Sequence, residues 1–312
     1  MKKYVKVALA STMLLSVLAG CSTQSSLEDS KTPASDAKKE GVVTIGLSIS
    51  TLNNPFFVTL KEGAEKAAKE AGVNLIVVDS QDDTAKQISG VEDLIQKKVD
   101  IILVNPTDSA AISTAVESAN TANIPVITVD RAAEGGKVTS HIASDNVKGG
   151  EMAGQFIMDS LGGKGNLIEL EGIPGSSAAR DRGKGFHNAV DNKDGLKVTA
   201  TQPADFNRAK GMSVMENILQ GNKDIQAVFA HNDEMALGAL QALEAAGLKE
   251  VKVVGFDATE DAVAAVKDGK LTATVAQKPA EIGKKAVETA IKVAKGEQVD
   301  EFIPVELELI KK

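Results

Sequence analysis

The chain has 312 residues, with 43 acidic and 35 basic side chains and a formal charge of −8. That balance excludes a nucleic-acid binder, which needs clustered Lys and Arg to neutralise phosphates. A single Cys excludes an intrachain disulfide, so the fold must rest on its core, and with Trp absent a pair of neighbouring Phe carries unusual weight.

Residues 1–20 read as a secretory signal: Lys2, Lys3 and Lys6 give the positive start, and residues 7–20 are mostly apolar or small. Those fourteen residues are too few to span a bilayer comfortably. The run closes at Leu18-Ala19-Gly20-Cys21, which resembles the lipobox of bacterial lipoproteins. The resemblance implies that Cys21 is diacylated and becomes the mature N-terminus, and two acyl chains suffice for stable anchoring to a membrane. Residues 22–40 are rich in Ser, Thr, Lys and Asp, with Leu27 as their one large apolar side chain. Such a stretch cannot bury enough surface to order itself. Residues 21–41 are therefore read as a lipidated Cys plus a flexible tether, with a root-mean-square reach of roughly 25 Å. About 270 residues remain, enough for two lobes of ordinary size.

From residue 42 onward, strand-like runs alternate with amphipathic stretches, which predicts an α/β fold. Residues 42–49 form the first strand; Asn54 then offers a helix cap with Pro55 at the first helical position. Phe57, Leu60, Ala64, Ala67 and Ala71 recur at spacings of three and four, so one face of that helix packs inward until Gly72 ends it. A strand over 74–79, a helix near 84–96, a strand ending at Asn105, a helix near 109–122, a strand ending at Asp130 and a short strand at 139–143 complete the first half. The second half repeats the scheme, with strands near 166–170, 198–202, 226–230, 251–256 and 271–276. Its helices fall near 147–161, from 177 onward, and near 207–220, 233–246, 259–268 and 279–295. The closing run 302–310 is interrupted by Pro304, which suits an edge strand or a crossover between lobes.

Two strand endings repeat with one spacing: Asn105 precedes Asp130 by 25 residues, and Asn232 precedes Asp257 by 25. Apolar runs of this kind are strands buried on both faces of a parallel sheet, whose ligands sit beyond the carboxyl ends. Two similar lobes could thus present Asn and Asp to one shared cleft. The sequence holds no Gly-x-Gly-x-x-Gly fingerprint, no phosphate loop and no Gly-x-Ser-x-Gly elbow. His141, His187 and His231 have no metal-ligand spacing, and Asp191 to Gly195 lacks the acids of a calcium loop. Neither an enzyme, a metal nor a cofactor is expected. Asn53-Asn54-Pro55-Phe56-Phe57 combines amides with two rings, although helix geometry does not aim both Phe at one place. Aromatic faces suit the apolar face of a sugar, and Asp130-Arg131 at a strand end suits vicinal hydroxyls.

Several segments together resemble the ribose-binding proteins of bacterial ABC importers. They are Ser50 to Phe57, Asn105-Pro106-Thr107-Asp108-Ser109, Ile124 to Arg131, His141-Ile142-Ala143-Ser144-Asp145-Asn146, Ser177 to Gly183, Gln202 to Phe206, Asn232 to Ala239, and Val254-Gly255-Phe256-Asp257. The likeness covers essentially all of 42–312. It implies two flavodoxin-like lobes with parallel sheets joined by a three-crossover hinge, 42–144 plus 278–306 and 145–277 plus 307–312. By the same resemblance Ser50, Asn54, Phe56, Phe57, Asn105, Asp130, Arg131 and Ser144 of the first lobe contact sugar. In the second lobe Arg182, Phe206, Asn232 and Asp257 do so, with Gln277 at a crossover. Phe56 and Phe57 would face Phe206 across the ring, the two Asp would accept from hydroxyls, and the two Arg would donate. Spacing alone does not separate Arg182 from Arg180; the family pattern favours Arg182. His231 stands where members of the family often carry Gln.

The implied function is a monomeric, extracytoplasmic, lipid-anchored protein that captures D-ribose and hands it to the membrane subunits of an ABC permease. A binder of a related pentose or of a furanosyl autoinducer is the alternative. A sugar-sensing repressor would need a basic helix-turn-helix where the lipobox and tether stand.

Overall fold

The computed structural model describes residues 41–191 and 193–312. The signal, Cys21 and nearly all of the tether read above lie outside the described residues. Twelve strands and nine helices alternate along the described chain. The first set runs β1 (Thr44–Ile49), α1 (Pro55–Ala71), β2 (Asn74–Asp79), α2 (Thr84–Gln96), β3 (Ile101–Val104), α3 (Ser113–Thr121), β4 (Val126–Val129) and β5 (Ser140–Ser144). The second runs α4 (Asn146–Ser160), β6 (Gly165–Glu171), α5 (Ser177–Val190), β7 (Leu196–Pro203), α6 (Arg208–Gly221), β8 (Ala227–Ala230), α7 (Asp233–Ala245), β9 (Lys252–Asp257), α8 (Glu260–Lys267) and β10 (Ala273–Ala276). After these come α9 (Pro279–Ala294), β11 (Phe302–Val305) and β12 (Glu308–Lys311).

The strands form two six-stranded sheets, ordered β2-β1-β3-β4-β5-β11 and β7-β6-β8-β9-β10-β12. Every pairing is parallel except that of β12 with β10. Strand order reverses beside β1 in one sheet and beside β6 in the other, which opens a crevice at the carboxyl ends. Each sheet is covered on both faces. β3, β4, β8 and most of β9 are therefore wholly buried, as their largely apolar runs require. Ile45, Leu47, Leu103 and Ile127 form one core with the Ala-rich faces of α1 and α9. Phe186 of α5 packs with Phe229 and Phe256 of the second sheet and with Ala153 and Ile157 of α4 in the corresponding layer.

The chain passes between the sheets three times: after β5 into α4, after β10 into α9, and from β11 to β12. The closing run read as an edge strand or a crossover is both. It breaks at Glu306-Leu307, so that β11 edges the first sheet and β12 the second. Pro304 is tolerated because β11 pairs on one side only, with β5. The helix expected near residue 109 begins at Ser113 instead. Asp108 Oδ1 draws in the N–H groups of Ala110 and Ala111 at 2.9 and 2.8 Å, and the chain turns there before it coils.

Candidate binding site

Functional side chains gather where the carboxyl ends of the two sheets approach each other. Asn54 caps α1 by accepting the N–H of Phe56 at 3.0 Å, and Pro55 fixes the first turn. That turn carries Phe56 and Phe57, packed edge to face with centroids 5.2 Å apart and planes at 87°. Both rings border a narrow hollow while also belonging to the first core, contrary to the expectation that they would diverge. Side chains in the first helical turn lean back toward the N-terminus, so neighbours can overhang one sheet edge from two directions.

Asp130 and Asp257 close strands with positive φ, 64° and 118°. Such backbone is strained for residues other than glycine, by about 1–3 kcal/mol each, and it turns the side chains out of the strand direction. From the first sheet's side Asn54, Phe56, Phe57, Asp130 and Arg131 line the hollow. From the second, Ala178, Arg182, Phe206, Asn232 and Asp257 do so, joined by Gln277 just after β10.

The polar groups are held from behind. Asn105 accepts the N–H of Ser50 at 3.2 Å and donates to Val129 O at 3.0 Å and to Asp130 Oδ2 at 3.4 Å. It is therefore a brace for Asp130 and not part of the lining. Ser50 and Ser144 are buried at strand ends and also stand outside the lining. The Arg131 guanidinium lies 5.0 Å from the centroids of both Phe57 and Phe206, so it occupies the slot between those rings. Arg182 donates through Nε to Asn146 Oδ1 at 2.8 Å and through Nη1 to His231 O at 2.6 Å, over the face of Phe256. Its Nη1 is 3.8 Å from Asp257 Oδ1, which also accepts from Gln277 Nε2 at 2.9 Å. Asn232 caps α7 through Oδ1 and donates to Phe206 O at 3.3 Å. Arg180, the competitor in sequence, instead points outward to Glu134 and to Gly175 O.

Two carboxyls and two guanidiniums thus share one buried space. Burial pushes the Asp130 and Asp257 carboxyls up, against the opposing pull of Arg131 on the first and Arg182 on the second. Burial likewise lowers both Arg, with the neighbouring carboxylates resisting. Asp130 Oδ1, Arg131 Nε and Gln277 Oε1 are buried and make no hydrogen bond within the protein, although Arg131 Nε lies 3.8 Å from Asp130 Oδ2. Each such orphan costs about 1–3 kcal/mol, an expense that a core built only for stability would not carry. Acceptor and donor orphans on one lining fit a neutral ligand with several hydroxyls. Among the described residues no group of three His, Cys, Asp or Glu could hold a metal ion. No helix among them is long and apolar enough to cross a membrane.

The comparison with known families settles what kind of binder this is: the model for the periplasmic binding protein domain matches residues 45–298. The chain belongs to the periplasmic binding protein family. This member is 57% identical over 309 residues to the ribose import binding protein RbsB of Bacillus subtilis (strain 168), covering 99% of each chain. It superposes with a TM-score of 0.84 on an ABC transporter solute binding protein from Mycobacterium smegmatis with bound glycerol, at 37% identity, covering 87% of this chain and 94% of that one. A periplasmic solute binding protein from Actinobacillus succinogenes with bound D-allose gives 0.81 at 34% identity, with coverages of 86% and 97%. These relatives are binding proteins, not enzymes. The family expected from the motifs is the family found.

Some of the site lay beyond sequence reading. Ala178 lines the hollow, but an alanine carries no chemical signature. Asn146 and Phe256 support Arg182 and stand in motifs already singled out, yet only the path of α5 over the second sheet reveals their role.

Proposed function

We propose that this periplasmic binding protein captures D-ribose between its two sheets and delivers it to an ABC importer. The carrying observation is the pair Asp130 and Asp257, brought to one hollow from opposite sheets. Asp130 and Asp257 accept from sugar hydroxyls, and Arg131 and Arg182 donate charge-assisted hydrogen bonds to them. Phe56, Phe57 and Phe206 supply the apolar walls, while Asn54, Asn232 and Gln277 complete the polar rim. Asn105 acts through Asp130, and Ser50 and Ser144 shape the strand ends. Near-identical coverage of a relative named for ribose import supports ribose over other sugars.

The moving parts are lobes of 42–144 plus 278–306 and 145–277 plus 307–312, hinged at the three crossovers. Because contacts come from both, ribose favours the closed arrangement through its higher affinity for it, and the closed form docks on the permease as a monomer. The Leu18-Ala19-Gly20-Cys21 motif supports anchoring by lipid on Cys21, with residues 22–40 as the tether. Cys21→Ser should move the protein from the membrane fraction to the soluble fraction; an unchanged distribution on ultracentrifugation contradicts the anchor.

Calorimetric titration of the full chain against a panel of monosaccharides tests the assignment. D-ribose should bind most tightly, with related pentoses and a furanosyl autoinducer weaker by tenfold or more, on the order of one lost buried hydrogen bond. A panel member that outcompetes ribose would replace it as the ligand.

A further inference from the structure

His231 precedes Asn232 and is fully buried outside the lining of the hollow. Its ring is nevertheless bonded to two parts of the second lobe. Nδ1 accepts the backbone N–H of Gly172 at 3.3 Å, which leaves the ring proton on Nε2. Nε2 then donates to Glu169 Oε1 at 2.9 Å. Glu169, wholly buried on β6, also receives His187 Nε2 at 3.0 Å and Thr201 Oγ1 at 3.2 Å. Gly183 on α5 and the Phe229 ring, tilted at 5.2 Å, also lie against the imidazole.

Both groups attached to His231 lead to the sugar site. Gly172 is the seat of the Phe206 ring, so closely that a Cβ added there would stand 2.0 Å from a ring carbon. The His231 carbonyl receives Arg182 Nη1 at 2.6 Å. A buried His–Glu pair is a poor device for stability alone, since apolar side chains of similar volume commonly do as well or better. Its geometry instead supports a positioning task.

We propose that His231 is a positioning residue of the sugar site: its Nε2–H tautomer, fixed by Glu169, pins the turn at Gly172 and so sets the Phe206 ring and the Arg182 guanidinium against the ligand. The inference rests on the sugar-binding reading above. Glutamine can reproduce both ring bonds, its amide oxygen accepting from Gly172 and its NH₂ donating to Glu169. Leucine can reproduce neither.

The test is D-ribose calorimetry on the full chain carrying His231→Leu, His231→Gln, or the apolar pair His231→Leu with Glu169→Leu, alongside apo melting curves and ¹⁵N spectra of the imidazoles. His231→Leu and the apolar pair should raise Kd about tenfold or more, the loss expected when a buried hydrogen-bonded support is removed. His231→Gln should restore Kd to within about threefold of wild type. The wild-type spectrum should show the proton on Nε2 of His231. If His231→Leu does not fold, the apolar pair, which leaves neither of the two members stranded, carries the comparison. A folded apolar pair that binds ribose like wild type overturns the proposal, as does a glutamine variant as weak as leucine or a proton found on Nδ1. A wild-type chain that binds no monosaccharide removes the sugar-binding reading itself, and this inference with it.

Discussion

At the scale of single residues the site holds ionisable groups in deep burial: Asp130, Arg131, Arg182 and Asp257 are all buried. Asp257 is gripped by Gln277 at 2.9 Å and faced by Arg182 at 3.8 Å, yet its carboxyl is pushed up by burial. A hydroxyl donor from a ligand would stabilise its charged form. Asp257→Asn keeps the shape and removes the charge, so it should weaken ribose binding by about 1.5–3 kcal/mol, the usual range for a hydrogen bond to a charged group. Unchanged ribose-induced thermal stabilisation in that variant would count against the role given to Asp257. His187 offers a second prediction, this one in pH. Partial burial depresses its pKa, but the hydrogen bond to Asp191 and the attraction and hydrogen bond of Glu169 outweigh this and raise it above its ordinary 6.5. Glu169 goes the other way: burial raises it, but the two His partners win and hold it below its ordinary 4.5. A raised folded pKa stabilises below the unfolded value and loses that contribution as pH climbs through the folded one; a lowered carboxyl pKa stabilises above the unfolded value and fails in acid. The pair is therefore fully effective between about pH 5 and 6.5. Melting curves should show His187→Gln least stable relative to wild type in that window, with the difference shrinking toward pH 8.5. A constant difference across pH would refute the coupling.

At the scale of elements, the turn into α5 meets loops at the carboxyl end of the first sheet outside the hollow. Ser109 N–H donates to Gly175 O at 2.9 Å, Ser177 N–H to Ser109 Oγ at 3.1 Å, and Ala132 N–H to Ser177 Oγ at 2.9 Å. Gly175 permits that approach: a Cβ there would lie 2.1 Å from Asp108 Oδ2. Gly175→Val should leave apo melting within about 0.5 kcal/mol of wild type, as befits a surface turn, and weaken ribose binding at least tenfold by holding the lobes apart. Small-angle scattering in saturating ribose should then show a wider envelope than wild type; equal envelopes would contradict the steric argument. The elements themselves were legible because buried parallel strands are written as unbroken apolar runs closed by Asn or Asp, and because Asn54-Pro55 and Gly72 mark helix ends chemically. The late start of α3 was not legible, since the side chain of Asp108 outcompetes the helix locally. Nor was the division of labour between Asn105 and Asp130. Both close apolar strands, and only the twist of the first sheet places one behind the other. The joint use of Phe56 and Phe57 was implied by the family resemblance alone, because periodicity reports faces and not the overhang of a helix end.

At the scale of the whole molecule, two sheets of the same strand order meet at their carboxyl ends, and each sheet's edge is finished by one half of the final run. A ligand that bonds to both sheets at once gains its full free energy only when they are together. Binding and closure are then one equilibrium, and the protein's melting point should rise with ribose concentration as mass action requires. On the proposed reading a single neutral sugar is shared by carboxylates from opposing halves. A crystal structure of the full chain grown with D-ribose tests it most directly. Asp130 and Asp257 should each lie within hydrogen-bond distance of hydroxyls on one sugar ring. A ribose held by one sheet alone, or seated away from either carboxylate, would contradict the account.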